Sequence, residues 1–462
     1  MTTTPIPTAA RLAEIAAQAP DHIAVRDRGR SVTFSEFYSD LGRIFPAVTG
    51  FGVRKGSVAA VGWDGLYRHW LLTLAFECLG VTTFTCHRDG PPDHVPADTV
   101  VCPDDGWWQA ALDGPVADLT TQSDPGFAPR LVASSGTTGS PKLMAPTVLQ
   151  EAFRQDATRS IYGYGPDSRF LVGVGFIVQA DHRRATVCLR AGGTCLYEGE
   201  AMIEDAILSA RPTHVVLMPG HLLGIEGRSD DLCRYGPLNV AAVGGAVPDA
   251  ARTLLTERFG FTLTESYGTN ETGPIANVGS DGWASPLPGV TVRIVGDYGA
   301  VLPPGTDGTV EISSPGTVDG YRNYPEATAA RFRDGWFRPG DVGRMDADGR
   351  LRLTGRIDDI LNVGGMKISA GSLDRRLQAL PELQDGAAAA FVDENGRTAL
   401  ALFIVPSGDI PNDVLEASVM TVIPRKGIGT VRVIRATGIP RTDTGKVRRR
   451  DLRAFLDSGQ KT

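Results

Sequence analysis

Residues 134–142 read SSGTTGSPK and lie between the apolar run Leu131-Val132-Ala133 and Leu143. Gly136 and Gly139 let a backbone turn through conformations that other residues resist. Successive N–H groups in such a turn can converge on an anion. Ser134, Ser135, Thr137, Thr138 and Ser140 add hydroxyl donors, and Lys142 adds a full positive charge. The ligand that suits this loop is a polyphosphate. The pattern is not the P-loop, which needs Gly-Lys-Ser/Thr at the mouth of a helix. Here Pro141 removes an N–H and biases Ser140 away from helix, and Leu143 follows the lysine. A Ser/Gly-rich linker has the same composition, but linkers rarely follow an apolar strand so abruptly.

The elements that must position the loop can be read on either side of it. Leu131–Ala133 ends a short buried strand, and the next helix is expected to start at Thr147, with Gln150 at capping-box spacing. Residues 8–120 alternate helix-like stretches (RLAEIAAQA, RHWLLTLAFECLG) with apolar runs (SVAAVGW, VTTFTC), the rhythm of a parallel sheet. THVVLMPG, LNVAAVGGA and FTLTESYG each predict a strand running into a glycine turn. Ligands of open α/β sheets sit beyond the carboxyl ends of strands, so these turns and the loop after Ala133 are expected to face one crevice. From about 289 the texture becomes short alternating strands with hairpin turns, one of them at Asp348-Gly349. After a charged break at Arg356 to Asp359 comes a unit of about 100 residues with mixed helices and strands, a plausible domain size. The expected fold class is α/β. A large N-terminal domain of parallel-rich α/β sheets carries a small β subdomain (1–355), and an α+β domain follows (356–462).

Bulk properties narrow the function classes. A net charge of -7 argues against nucleic acid as the main partner and against a polybasic membrane surface. The first twenty residues lack a basic region followed by an apolar core, so no secretory signal is expected, and no apolar run is long enough to span a membrane. None of the six cysteines forms a CxxC, and the spacing of Cys86, His87, His94 and Cys102 matches no zinc pattern. Scattered reduced thiols and a cytoplasmic location are the expectation.

Five segments, SSGTTGSPK at 134, ESYGTNETG at 265, GWFRPGD at 335, GRIDDILNVGGMKIS at 355 and IPRTDTGKVRRRDL at 439, occur in one order. Together they closely resemble the adenylate-forming superfamily of acyl- and aryl-CoA ligases, peptide-synthetase adenylation domains and luciferases. The resemblance runs by motif from about 130 to 450. It implies an enzyme that joins a carboxylic acid to ATP, releases pyrophosphate and passes the acyl group to a thiol. ATP, Mg2+ and CoA, or a carrier-protein phosphopantetheine, are the implied cofactors. By resemblance, Ser134 to Lys142 cradle the β- and γ-phosphates and Glu271 is the magnesium ligand, a hard carboxylate that suits the ion. Tyr267, with Glu265, Ser266 and Gly268 around it, offers a ring face to adenine, and Gly244, Gly245 and Ala246 line the other side. Thr269 and Asn270 lie near the α-phosphate; the family usually has a hydroxyl residue where Asn270 stands, and asparagine still donates a hydrogen bond. Asp341 accepts from the ribose hydroxyls with Arg356 in support, and Pro339 replaces a common threonine just before. Lys446 is the mobile lysine that bridges α-phosphate and carboxylate, acting electrostatically. Asp358 is the hinge about which a mobile C-terminal domain swings, and Gly364 and Gly365 leave room for a pantetheine arm.

The acid pocket is implied to lie near Phe176, Ile177, Gly244 and Gly268. Amino-acid-activating relatives carry an aspartate just after the aromatic residue; Phe176 is followed by Ile177 and Val178, and Asp181 is expected to cap the next helix. A small aryl or acyl acid is therefore favoured over an α-amino acid. CoA is the favoured acceptor. An acyl carrier protein, another nucleophile such as an amine, and a degenerate nucleotide-binding module remain the alternatives. Lys446→Ala is expected to cut adenylate formation by orders of magnitude while ATP affinity stays within about tenfold, because the lysine acts in the transition state. Single-turnover kinetics beside equilibrium ATP binding checks this, and parallel losses would contradict it.

Overall fold

The computed structural model describes residues 6–456 apart from 120–123, 135–140, 219–220, 222–224, 226–228, 234, 244–246, 248, 297–298, 364–365, 393–397, 424–429, 442–446, 450 and 453–455. The expected helices form at Thr8–Gln18 and Leu66–Leu79, and the apolar runs between them form the parallel strands Val58–Gly62 and Thr82–Cys86. Leu66–Leu79 is buried nearly all round, which is why it shows no polar stripe.

A 15-stranded sheet runs through most of the N-terminal part. Ile23–Asp27, Thr194–Tyr197, Arg169–Leu171, His214–Leu217, Asn239–Ala242 and Thr262–Thr269 lie side by side and parallel. The three strands predicted to end in glycine turns are thus adjacent and point the same way. Beyond Thr262–Thr269 the sheet turns antiparallel through Gly273–Val278 and Ala284–Pro286. The short-strand region after 289 is hydrogen-bonded onto this sheet, since Ala284 pairs with Leu351. Within that region Gly308–Ser313, Asp341–Met345 and Leu351–Arg356 pair antiparallel, with Asp348-Gly349 at the predicted turn, where Gly349 has φ +76°.

Residues beyond the turn Ile357–Asp359 build their own sheets and core. The hairpin Ile360–Val363/Met366–Ser369 precedes helix Ala370–Gln378. Leu383–Val392, Thr398–Pro406 and Val431–Arg435 then make a three-stranded sheet. Two apolar clusters, one around Leu373, Leu400 and Val419 and one around Ala387, Phe403 and Leu452, draw only on residues 361–456. Arg449 ties this part together by pairing with Asp359 at 3.0 Å and Asp374 at 2.6 Å.

The residue after the phosphate-type loop behaves as its sequence requires. Thr147 is the N-cap of helix Val148–Tyr162, and both hydrogen bonds of a capping box with Gln150 are formed. Thr147→Ala should cost ~1 kcal/mol of local stability. Hydrogen exchange at the Gln150 and Glu151 amides should quicken about fivefold, since 1.4 kcal/mol is a factor of ten; unchanged exchange would show that tertiary contacts alone fix this helix start.

Candidate functional site

Val132–Ala133 and Leu143–Met144 form a short antiparallel pair, so the two ends of the loop 135–140 are held side by side. Ser134 N–H donates to the Lys142 carbonyl at 2.8 Å, and Lys142 N–H donates to Ser134 Oγ at 2.9 Å. Val132 and Met144 pack on Val318, with Tyr321 and Phe332 against them. Segment 316–322 thereby packs on the strand pair that flanks the loop, and Arg322 N–H donates to the Leu143 carbonyl at 2.7 Å. Ser135, Gly136, Thr137, Thr138 and Gly139 themselves lie outside the described residues.

Strand Thr262–Thr269 is paired on both edges, yet Leu263–Tyr267 are only half-buried and Gly268 is exposed. A strand paired on both edges inside a large α/β sheet, here parallel on one side and antiparallel on the other, is ordinarily covered on both faces. Its partial exposure marks the crevice expected beyond the strand ends. Gly268 is required there by close approach: a Cβ would sit 2.8 Å from the Gly273 carbonyl oxygen. Glu265 pairs with Arg252, and Ser266 Oγ shares a 2.9 Å hydrogen bond with Tyr162, whose hydroxyl accepts from Arg184 at 2.6 Å.

The turn after this strand carries the acidic group. Thr269 Oγ1 accepts from Thr272 N–H at 3.1 Å, which closes the turn. Asn270 Nδ2 donates to the Ala133 carbonyl at 3.0 Å and so ties the turn to the strand that leads into the phosphate-type loop. Glu271 Oε1 accepts from the Tyr321 hydroxyl at 2.8 Å, and Lys142 Nζ lies 5.5 Å from the centre of the Tyr321 ring. Tyr321 thus stands between the two opposite charges that the sequence singled out. Burial and the neighbouring carboxylate push its phenol pKa up, so it stays a donor. From behind, Arg154 fixes the turn: its Nη2 donates to the Glu271 carbonyl and its Nε to the Gly316 carbonyl, both at 2.8 Å.

Asp341 and Arg356 are brought together by an irregularity in pairing. At the inner end of their hairpin Met345 faces Leu351 and Gly343 faces Leu353. Continued unchanged, that register would set Asp341 opposite Gly355. Thr354 is an extra residue, a bulge, and shifts the register so that Asp341 faces Arg356. Directly opposed residues share one face, and Arg356 Nη1 reaches Asp341 Oδ1 at 2.6 Å. The Tyr267 hydroxyl donates to Asp341 Oδ2 at 2.5 Å. Tyr267, Asp341 and Arg356 therefore form one connected group at the crevice. Each carboxylate oxygen accepts one of these bonds and has a lone pair left for another donor.

Phe176 is placed otherwise. Its ring is fully buried, with Trp63, Trp70, His69 and His182 at centroid distances of 4.9–5.9 Å. Burial drops the His69 pKa to about 3 and holds His182 well below its ordinary value, so both imidazoles are neutral core groups at physiological pH. Ile177 is exposed. The loop 173–178 is pinned on its backbone: Arg130 Nη2 donates to the Phe176 carbonyl at 3.0 Å, and Asp181 Oδ2 accepts from Gly173 and Val174 N–H at 3.0 and 2.8 Å. Asp181 does not cap helix Gln179–Arg190, as the sequence suggested; it lies inside the first turn and satisfies loop amides that would otherwise be buried without an acceptor. Burial raises its pKa to about 6.

Gly244, Gly245, Ala246, Gly364, Gly365 and Lys446 lie outside the described residues, as does the side chain of Asp358. Sequence reasoning missed Tyr321, Arg154 and Arg130. Only Arg154 had a signal, since it falls on the inward face one turn after the capping box. The donor set can hold a magnesium ion bound to phosphate, which uses one or two carboxylates plus substrate oxygens: Glu271 is such a carboxylate, beside Lys142. None of the six cysteines forms a disulfide, four of them are buried, and no group of three or more possible metal ligands occurs among the described residues. No helix among them is long and apolar enough to cross a membrane.

The description AMP-binding enzyme matches residues 130–322. The chain is 30% identical to an indoleacetate–CoA ligase of Aromatoleum aromaticum over 77% of its own length and 73% of the relative's. Among solved structures, o-succinylbenzoate CoA synthetase of Bacillus subtilis, in complex with its acyl-adenylate intermediate, superposes with a TM-score of 0.82 at 19% identity, covering 97% of this chain and 98% of that one. An amide bond synthetase of Marinactinospora thermotolerans does so with a TM-score of 0.80 at 25% identity, covering 97% and 100%. The protein belongs to the AMP-binding, adenylate-forming enzymes.

Proposed function

We propose that the protein is an AMP-forming acid–thiol ligase that activates a small aryl or acyl carboxylic acid with ATP and transfers it to CoA. The observation that carries this reading is the convergence, at one exposed strand end, of the Tyr267–Asp341–Arg356 group with the Lys142–Tyr321–Glu271 group. The first has the free acceptor positions that a ribose needs. The second sets a cation and a hard carboxylate beside a loop of phosphate-binding composition. The relatives that are CoA ligases, including the indoleacetate enzyme, support an aryl acid and CoA.

The physical difficulty in such a reaction is that a carboxylate must approach a phosphate. Two unit charges at 4 Å repel by about 4 kcal/mol at an effective dielectric of 20. Lys142 would hold the departing phosphates and Lys446 would bridge the reacting pair, so that positive charge is present where negative charge develops. Magnesium on Glu271 would supply further positive charge to the phosphate oxygens. Asp341 and Arg356 would fix the ribose, and Tyr267 would orient the base beside it. No histidine is asked to move a proton, in keeping with the buried, neutral state of His69 and His182. Residues 1–355 would bind ATP and acid. Residues 356–462 would turn about Asp358, withdraw Lys446, and bring Gly364 and Gly365 to the crevice for thioester formation. A cytoplasmic location fits an ATP- and CoA-dependent reaction.

A second reading keeps the adenylation and changes the acceptor to an amine. The nearly full-length likeness to an amide bond synthetase favours it. Loading of a carrier-protein phosphopantetheine is the corresponding thiol alternative.

Pyrophosphate release is expected to require both magnesium and an acid from an aryl and short-acyl panel, with thioester accumulating when CoA is added. Accumulation with amines but not CoA would establish the second reading, and ATP binding without release across the panel would refute adenylation. Asp341→Ala should raise KM for ATP about tenfold or more, the loss of a charged hydrogen-bonding group being worth ~1.5–3 kcal/mol, with KM for the acid nearly unchanged. An equal rise in both constants would remove Asp341 from the nucleotide side.

A further inference from the structure

Three half-buried side chains meet on the Glu271 side of the candidate site in a fixed order: Lys142, Tyr321, Glu271. The lysine ammonium lies 5.5 Å from the centre of the tyrosine ring, and the carboxylate accepts from the tyrosine hydroxyl at 2.8 Å. Tyr321 is held from its other sides. Its N–H donates to Thr328 Oγ1 at 2.9 Å, and Phe332 packs edge-on with ring centroids 5.4 Å apart. Neither Lys142 nor the Glu271 carboxylate has an ion-pair partner among the described residues.

An ammonium and a carboxylate that share a half-buried corner attract each other, because partly buried charges are screened little by salt. Lysine has a flexible four-carbon stem and could follow that attraction. If the two paired, the cation would be neutralised before a phosphate arrived, and the carboxylate before a metal ion did. A polyphosphate would then have to break the pair in order to bind. A second cation, Arg331, also bears on the Tyr321 phenol.

We propose that Tyr321 is a positioning residue with two separable parts: its ring keeps Lys142 and Glu271 from pairing with each other, and its hydroxyl holds one oxygen of Glu271 and leaves the other for a metal ion carried by phosphate. The purpose of this spacing rests on the ligase reading above; the spacing itself does not. An aromatic ring suits the first task, since its face attracts an ammonium without neutralising it. A phenol suits the second, since it donates to a carboxylate without bringing a charge.

The test measures binding by the full chain and does not depend on turnover. ATP affinity is read by calorimetry in EDTA, without metal. Tyr321→Leu is expected to weaken it about fivefold, the worth of a part-exposed ion pair that must first be broken. Glu271→Gln should recover that loss in the Tyr321→Leu chain and help wild type far less, a coupling that a purely structural loss does not produce. In Tyr321→Phe the ring remains: metal-free ATP affinity should stay within about twofold, while the Mn2+ affinity of the ATP complex, read by electron paramagnetic resonance, falls about tenfold. Equal losses of both affinities in Tyr321→Phe, or no recovery by Glu271→Gln, overturn the proposal. So does a ligand-free crystal structure of Tyr321→Leu in which Lys142 and Glu271 stay apart, or in which Glu271 pairs with Arg331. If Tyr321→Leu does not fold, the two affinities of Tyr321→Phe decide. Failure of wild type to bind ATP would instead refute the ligase reading, and the crystal structure would still decide whether Tyr321 keeps the two charges apart.

Discussion

The guanidinium of Arg154, with none of its side chain exposed, is the joint around which the site is assembled. It joins helix Val148–Tyr162 to two backbone carbonyls, Glu271 on the turn after the central strand and Gly316 on the segment that leads to Tyr321. Those carbonyls have few other buried donors to meet; Val318 N–H supplies one to Glu271. A charged donor in a low-dielectric interior makes strong bonds, and breaking one of them strands a polar group. Because the same helix begins just after Lys142, this one side chain sets the distance between the loop with the lysine and the turn with the acid. Glu151 neutralises it at 3.0 Å, so the joint is an ion pair as well as a clamp.

Much of this was legible in the sequence, for reasons that are local. The capping box of Thr147 and Gln150 is a short-range bond pattern, and it forms as written. The parallel strands with glycine ends follow from apolar runs of strand length. The Asp348-Gly349 turn follows from a residue pair that tolerates positive φ. What was not legible depends on partners far apart in the chain. The short-strand region reads as a separate unit because its turns are its own, yet the pairing of Ala284 with Leu351 makes it an extension of the large sheet. An arginine reads as surface by type, so Arg130 gave no sign that it would be buried, and for Arg154 only its helix position hinted at it. Phe176 was expected at a pocket wall by resemblance, but its backbone turns at Gly175, φ +89°, and sends the ring into the aromatic core.

The two halves of the candidate site differ in how they are made rigid. The Asp341 side depends on paired strands and a bulge, with bonds of 2.5 and 2.6 Å closing the group. The Glu271 side depends on turn hydrogen bonds and on Tyr321, reached through a different stretch of chain. Strand pairing resists local opening better than loop contacts do. The sugar end of a bound nucleotide would therefore meet a stiffer surface than its phosphate end, which suits a site where the phosphates must leave and the nucleoside stay.

Thr354, the bulge residue, has a further implication. The strand it distorts ends at Arg356, and the 3-10 turn that includes Asp358 follows without an intervening loop. Torsion applied at Asp358 would be felt within two residues by the guanidinium that grips Asp341. If the C-terminal part turns there, binding of a ligand at the Asp341–Arg356 group and the angle of that part would be thermodynamically linked, each biasing the other by the same free energy. A spent nucleotide would then do more than wait for release: by holding Arg356 it would favour one orientation of the chain beyond it.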